Sequence, residues 1–238
     1  MKYILKTDKM MIKQSSCFKC VGYCDNCDNT MIKYGKTKLG NQRYHCKTCN
    51  KTKVGQYVYK AYESTINQKI ILLTKEGLGI RSTARVLQIS TTTLLKRIIA
   101  IARSISQPII SKNKTYEVDE MRSFIKRKNK LIWIVYALER ETKKVVSFTI
   151  GARTNKTLNV VLTTLRMAKA KTIYTDGLKH YQFLIEKAVH KVIRFATNHI
   201  ERNNLSIRTH IKRLNRKTIC YSRSLLVLQC VLRIYFWS

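Results

Sequence analysis

Three carboxylates in separate segments carry the chemistry this sequence offers. They are Asp119 in Tyr116-Glu117-Val118-Asp119-Glu120-Met121, Asp176 in Ile173-Tyr174-Thr175-Asp176-Gly177, and Glu201 in His199-Ile200-Glu201-Arg202-Asn203-Asn204. The chain holds 47 Lys and Arg against 13 Asp and Glu, and Glu201 is the only acid between Lys187 and Ser238. An acid kept in such company is better explained by holding a cation than by balancing charge. Asp119 and Asp176 sit within or just after short β-like runs, and Glu201 opens a helical pattern. Two strand carboxylates and one helix carboxylate form the oxygen-rich donor set that Mg²⁺, or Mn²⁺ in its place, prefers. Each acid also has a plainer reading. On an alternating strand Glu117 shares the face of Asp119 and competes with it for the metal, while Glu120 points away. Asp176 before Gly177 fits an Asx-turn, and Glu201 fits a first-turn acid facing the helix dipole.

A second donor set lies upstream. Six of the eight cysteines form three Cys-x-x-Cys pairs, Cys17/Cys20, Cys24/Cys27 and Cys46/Cys49. Two such pairs separated by a β-like stretch make a zinc ribbon, because the spacing lets both thiolates of a pair reach one tetrahedral ion. The gap from Cys27 to Cys46 is close to the usual zinc pattern. Gly35, Gly40 and Asn41 supply turns between Met31–Tyr34 and Gln42–His45. A ribbon of this size folds only with its metal, so the zinc is structural. Cys17 and Cys20 are surplus to one site, and their role stays open.

These donors need elements to position them. Ile66, Ile70, Ile71 and Leu73 mark a helix that stops at Gly77-Leu78-Gly79. A helix from Ile80 to Leu87, a break at Gln88-Ile89-Ser90 and a helix from Thr91, capped by Ser90 or Thr91 itself, form a helix-turn-helix around Ala84, Val86, Ile89 and Leu94. Thr91, Thr92, Thr93, Lys96 and Arg97 on its second helix suit base and phosphate contacts. Pro108 marks the join to the next domain. Beyond it the pattern predicts a strand over Thr115–Phe124, a hairpin of Leu131–Leu138 and Val145–Ile150, and a helix bearing Leu158, Val161, Leu162 and Leu165. A strand over Thr172–Thr175, a helix over His180–Lys187, a strand over Val192–Ala196 and a helix from His199 to Asn215 follow. Leu225–Trp237 is a final packing helix or strand. The order matches the ribonuclease-H-like fold by analogy, in which the first and fourth strands lie side by side. The expected organisation is an α/β multidomain chain: a zinc ribbon over 1–55, a helix-turn-helix over 56–110 and a ribonuclease-H-like catalytic domain over 111–238.

The net charge of +34 and pI near 10.2 point to a polyanion, with nucleic acid first. An anionic membrane surface is the weaker choice: no apolar stretch reaches the ~20 residues of a spanning helix. The first residues lack the apolar core of a signal peptide, so a cytosolic protein with reduced thiols is expected.

Together the cysteine pairs, Gln42-Arg43-Tyr44, the helix-turn-helix, Val118-Asp119-Glu120-Met121, Tyr174-Thr175-Asp176-Gly177, His199-Ile200-Glu201-Arg202-Asn203 and Lys212-Arg213-Leu214-Asn215-Arg216-Lys217-Thr218 resemble the transposases of the bacterial insertion-sequence-one family. The resemblance runs over nearly the whole chain from about Cys24. It implies a DDE transposase with Asp119, Asp176 and Glu201 as the magnesium- or manganese-binding catalytic triad. It implies Cys24, Cys27, Cys46 and Cys49 as zinc ligands, and Arg208 as a phosphate-contacting companion on the helix of Glu201. Lys53 departs from the family, which usually has an aromatic residue there. The expected activity is metal-dependent 3′-end cleavage and strand transfer on double-stranded DNA, both terminal inverted repeats and target. Lys212, Arg213, Arg216 and Lys217 would hold phosphates, and a homo-oligomer on DNA, associated with the bacterial nucleoid, is expected. Two alternatives remain: a DNA-binding regulator with an inactive catalytic half, and a ribonuclease-H-like nuclease without strand transfer.

Overall fold

The computed structural model describes residues 22–55, 59–218 and 220–238, so Cys17 and Cys20 lie outside the described residues. Two compact units divide between Tyr59 and Lys60. The first is a small antiparallel sheet of β1 (Ile32–Lys36), β2 (Gln42–His45) and β3 (Thr52–Val54), in that order. The strand β3 adds to the two-stranded pattern read from sequence. Its Lys53, the departure noted from the resemblance, donates to Asp25 at 2.8 Å, an ion pair between the strand and the first cysteine loop.

The second unit starts with three helices, α1 (Ile66–Lys75), α2 (Ile80–Val86) and α3 (Thr91–Ser104). The Ser90 hydroxyl caps α3 by accepting from the Thr93 N–H at 3.0 Å. Ala84, Ile89 and Leu94 are buried as expected, but Val86 is 60% exposed. The inward face of α2 runs instead through Thr83, Ala84 and Leu87, the i, i+1, i+4 set of one helical stripe.

A five-stranded sheet follows, built from β4 (Thr115–Ile125), β5 (Arg127–Glu139), β6 (Val145–Gly151), β7 (Thr172–Thr175) and β8 (His190–Lys191). Its order is β6-β5-β4-β7-β8: the first three strands are antiparallel, and β7 and β8 run parallel to β4. The adjacency of the first and fourth strands is therefore present. Between strands lie α4 (Asn155–Met167) and α5 (Lys179–Leu184); α6 (Asn198–His210) and α7 (Leu225–Trp237) complete the unit.

Alternating residues of β4 serve two cores. Tyr116 and Val118 pack with Leu158, Val161, Leu162 and Leu165 of α4. Met121 and Ile125 pack on the other face with Ile200 and Ile207 of α6, Leu228 to Ile234 of α7, and Ile66, Ile70, Leu94 and Ile98 of α1 and α3. The helix trio and the sheet thus share one continuous core rather than meeting across a polar boundary. Arg233 of α7 reinforces the join by donating to the Ile105 carbonyl just past α3.

Two expected elements differ. Val192–Ala196 is not a strand: pairing stops at Lys191, and Phe195 has φ +66 with an exposed ring. A β-branched run at a sheet edge has the composition of a strand without a partner to complete it. The helix after Glu201 ends at His210, and Lys212–Leu214 is a separate 3₁₀ turn. Gly77 fixes where α1 must stop. Its φ is +75, and a Cβ there would lie 1.9 Å from the His210 carbonyl oxygen at the end of α6. Gly77→Ala is expected to cost about 2 kcal/mol or more, from left-handed strain plus displacement of α6. A thermal melt should therefore fall by roughly 5 °C or more. An unchanged midpoint would show that α1 and α6 do not meet so closely.

Candidate functional site

The parallel pairing of β4 with β7 sets Val118 opposite Thr175, so the next residues along each strand, Asp119 and Asp176, emerge side by side. Each is held by a local donor. Asp119 accepts the Glu120 N–H at 2.7 Å and the Asn204 side-chain amide at 2.6 Å, while Asp176 accepts the Leu178 N–H at 3.2 Å in the Asx-turn read from sequence. Carboxylate oxygens of Asp119, Asp176 and Glu120 lie within 4.8 Å of one another.

Glu120 was expected to point away. It does turn to the face of β4 opposite Asn204, towards Arg153 (3.6 Å) and Tyr181, yet its carboxylate still reaches the other two acids. Burial pushes its carboxyl up to about 7, and Asp176 and Asp119 add to the rise against the pull of Arg153. Asp119 is raised as well, first by burial and then by the charges of Asp176 and Glu201, despite its two donors. Acids crowded this closely favour a cation between them.

Glu201 occupies the first turn of α6, where its Oε1 accepts from the Thr197 hydroxyl at 2.9 Å. It lies near enough to raise Asp119 but outside the three-carboxylate group. What brings α6 to the sheet is Glu117. This fully buried carboxylate accepts the Ile200 N–H at 2.9 Å and His199 Nδ1 at 2.8 Å, with Arg140 Nε at 3.4 Å. Both oxygens are thus engaged at the start of α6, and the competitor for metal is the clamp that aims the helix. Tyr136 adds a second clamp by donating to Ile200 O or Asn204 Oδ1, at 3.1 and 2.8 Å. Asn204 passes that constraint on to Asp119. No sequence motif marks Tyr136 or Asn204; the i+3 spacing of Asn204 from Glu201 was the only signal. Glu117→Gln replaces one of the two accepting oxygens with an NH₂ group and removes the buried charge, so the paired start of α6 should lose about 2–3 kcal/mol. A urea titration of the variant reads this directly, and wild-type stability would mean that the clamp is dispensable.

The basic candidates divide. Thr91, Thr92 and Lys96 are exposed and Thr93 is half-buried. Arg97 instead turns inward and donates to the Ala61 carbonyl at 2.7 Å and Asn67 at 3.2 Å. Arg208 likewise donates to the carbonyls of Leu214 (2.9 Å) and Arg122 (3.3 Å), so its guanidinium props the turn after α6. Burial lowers the pKa of Arg208 and of Arg213. Lys212, Arg216 and Lys217 are exposed. Arg81, Thr91, His210, Lys212, Arg213 and Arg223 line one groove of about 910 Å³ between the start of α3 and the segment after α6. The reversal between β4 and β5, unnoticed in the sequence, presents Lys126, Arg127, Lys128 and Lys130 to solvent.

In the first unit, Cys24, Cys27, Cys46 and Cys49 bring their sulfurs within 4.8 Å of one another, with Cys24–Cys49 and Cys27–Cys46 at 3.4 Å. Four sulfurs about 2.3 Å from a tetrahedral ion lie about 3.8 Å apart, so this donor set fits zinc. The Cys49 N–H helps draw the Cys46 thiol down to about 6 and the Asn26 N–H lowers Cys24, while Cys49, despite the Lys51 N–H, is pushed up to about 11 by the Cys24 sulfur and burial. Such loops stabilise thiolates, the form a metal binds.

An α/β unit whose adjacent parallel strands deliver acids to one point offers an oxygen donor set of the kind a divalent cation takes. Residues 113–237 match the family model described as IS1 transposase. The chain is 40% identical over 108 residues to the insertion element iso-IS1n protein InsB of Shigella dysenteriae, covering 45% of this chain and 82% of that protein. It is 33% identical over 108 residues to the insertion element IS1 protein InsB of Shigella flexneri, with the same coverage. The chain belongs to the IS1 transposase family. Among solved structures, the HTLV-2 integrase catalytic core domain in complex with magnesium (trimeric form) is similar at 14% identity, over 54% of this chain and 86% of that one, with a TM-score of 0.36. That likeness is too distant to bear on function. No helix among the described residues is long and apolar enough to cross a membrane.

Proposed function

We propose that this protein is a DDE transposase that binds the terminal inverted repeats of an insertion sequence and catalyses 3′-end cleavage and strand transfer. The observation that carries the reading is the convergence of Asp119, within β4, with Asp176, just past the end of the adjacent parallel strand β7, in a chain of this family. Asp119, Asp176 and Glu201 are the residues assigned to hold Mg²⁺ or Mn²⁺. Bound there, the metal supplies Lewis-acid polarisation of a phosphodiester and a more acidic attacking hydroxyl. The protein's own part is positional. Asn204 orients Asp119, Glu117 and Tyr136 hold α6 against the sheet, and the clustered acids keep the centre electronegative within a strongly basic surface. That contrast draws a phosphodiester backbone to the protein while leaving a cation slot at the reacting bond.

The pair α2 and α3 is read as a helix-turn-helix, with Thr91, Thr92, Thr93 and Lys96 towards DNA; Arg97 serves the pair by bracing α3. The groove that combines Arg81 and Arg223 with Lys212 and Arg213 continues the basic path, and Arg216 and Lys217 extend it. Arg208 acts through the turn it supports. The four-cysteine unit is read as a structural zinc ribbon that adds a further DNA contact, and the active form is read as a homo-oligomer on paired ends.

The test uses a labelled duplex ending in the inverted repeat, with Mg²⁺ or Mn²⁺ and an unlabelled target. The transposase should nick at the 3′ end and join that end to target. Nicking without joining favours the nuclease, and binding without nicking favours the regulator. Binding should weaken steeply with salt, since many phosphates are contacted.

A further inference from the structure

We propose that Glu120 is a ligand of the catalytic cation, reaching it from the opposite face of β4 to complete a centre with Asp119 and Asp176. The inference rests on the reading of that centre as a divalent-metal site.

The geometry separates Glu120 from its neighbours. Its side chain is 1% exposed, and Oε1 is fully buried with no hydrogen-bond partner. The nearest base, Arg153, stands 3.6 Å from Oε2; it is more than a third exposed and lies over the Trp133 ring at 4.4 Å. One long, solvated contact does not satisfy a buried carboxylate. The Tyr181 hydroxyl, beside the same acids, is also buried without a partner of ordinary geometry. Glu120 Oε1 and the Tyr181 hydroxyl, which face each other without a hydrogen bond of ordinary geometry, thus stand beside three carboxylates within 4.8 Å of one another. Oxygens sharing a Mg²⁺ ion at about 2.1 Å stand about 3–4 Å apart, so a small contraction closes the set.

The other acids of these elements do not compete. Glu117 is saturated by His199 and the Ile200 N–H. Glu201, whose Oε1 accepts from the Thr197 hydroxyl, stands outside the three-carboxylate group and approaches from α6, so Glu120 would add to it rather than replace it. Adjacent residues of a strand normally face apart, and here that serves the site. Asp119 approaches from the side of α6, and Glu120 from the side of α4 and α5, so the cation is gripped across the edge of β4 rather than from one face.

The test titrates Mn²⁺ into the full chain without DNA and reads the free ion by electron paramagnetic resonance. Glu120→Gln and Asp176→Asn should each weaken binding by about tenfold or more. Thermal melts run alongside: in EDTA the Glu120→Gln variant should melt no lower than wild type, because a buried unpaired charge is gone, and most of the Mn²⁺-dependent rise should vanish. Should that variant not fold, Glu120→Asp keeps the charge but withdraws it by one methylene, and should bind Mn²⁺ more weakly than wild type. Wild-type affinity in the Glu120 variant, with Asp176→Asn weakened, overturns the inference and leaves the centre to Asp119, Asp176 and Glu201. Unchanged affinity in both Glu120→Gln and Asp176→Asn overturns the metal centre itself, and the inference with it.

Discussion

Asp119→Asn and Asp176→Asn are each expected to lower Mg²⁺-dependent end cleavage by about 10³-fold or more. Metal polarisation contributes several kcal/mol to a phosphoryl-transfer barrier, and each 1.36 kcal/mol is a factor of about ten. The amide keeps the size of the side chain, and its one oxygen at position 119 still accepts from either the Glu120 N–H or Asn204. The fold should survive: in the metal-free protein both substitutions remove repulsion from a crowded acidic group. Repeat-end DNA should bind as tightly as before, or slightly more so, because negative charge leaves a surface that faces phosphate. Glu201→Gln should fall with them if the helix acid joins the centre on DNA. Cleavage rates and gel shifts on the same duplex separate the cases. An Asp119→Asn protein that still cuts would mean that the strand carries its metal ligand elsewhere.

Removing zinc is the other large perturbation expected. The first unit has three short strands, and among its described residues only Cys24 and Cys46 are buried apolar side chains. Structural zinc in units of this size is worth about 10–16 kcal/mol, far more than so small a core supplies. Cys46→Ser, or a strong chelator, should therefore unfold this unit while the second unit, with its own cores, keeps its melting transition. Metal analysis should give one zinc per chain in wild type and none in Cys46→Ser. Retention of a folded first unit in the chelated protein, read by amide exchange, would show that the sheet stands without its ion.

The elements that could be read in advance were those with a repeating apolar period. Leu158, Val161, Leu162 and Leu165 announce α4, and all four are buried. Ser90 announces the cap of α3. Thr172–Thr175 reads as a strand, and Asp176 as the acid that ends it. Contacts that join distant segments could not be read. Arg97 and Arg208 look like phosphate ligands in one dimension, but each guanidinium is taken by backbone carbonyls of other elements. Glu117 looks like a metal ligand until α6 is laid against it. Glu120 looks idle by strand alternation, because alternation describes where a side chain leaves the backbone and not where a flexible carboxylate ends.

The shared core gives the order of synthesis a physical meaning. Leu94 and Ile98 of α3 belong to the same cluster as Leu228, Val231 and Ile234 of α7. On the ribosome, α1–α3 emerge early and wait, with an apolar face uncovered, until a segment more than a hundred residues downstream arrives. Only the cysteine unit, whose pairings all close within 22–59, can settle while translation continues. The groove assigned to DNA, which needs both α3 and the stretch after α6, therefore forms late, once the acids of β4, β7 and α6 have already been made. A nascent chain is thus basic and sticky before it is competent, and a polysome carrying several such chains is a place where premature contact with nucleic acid competes with folding.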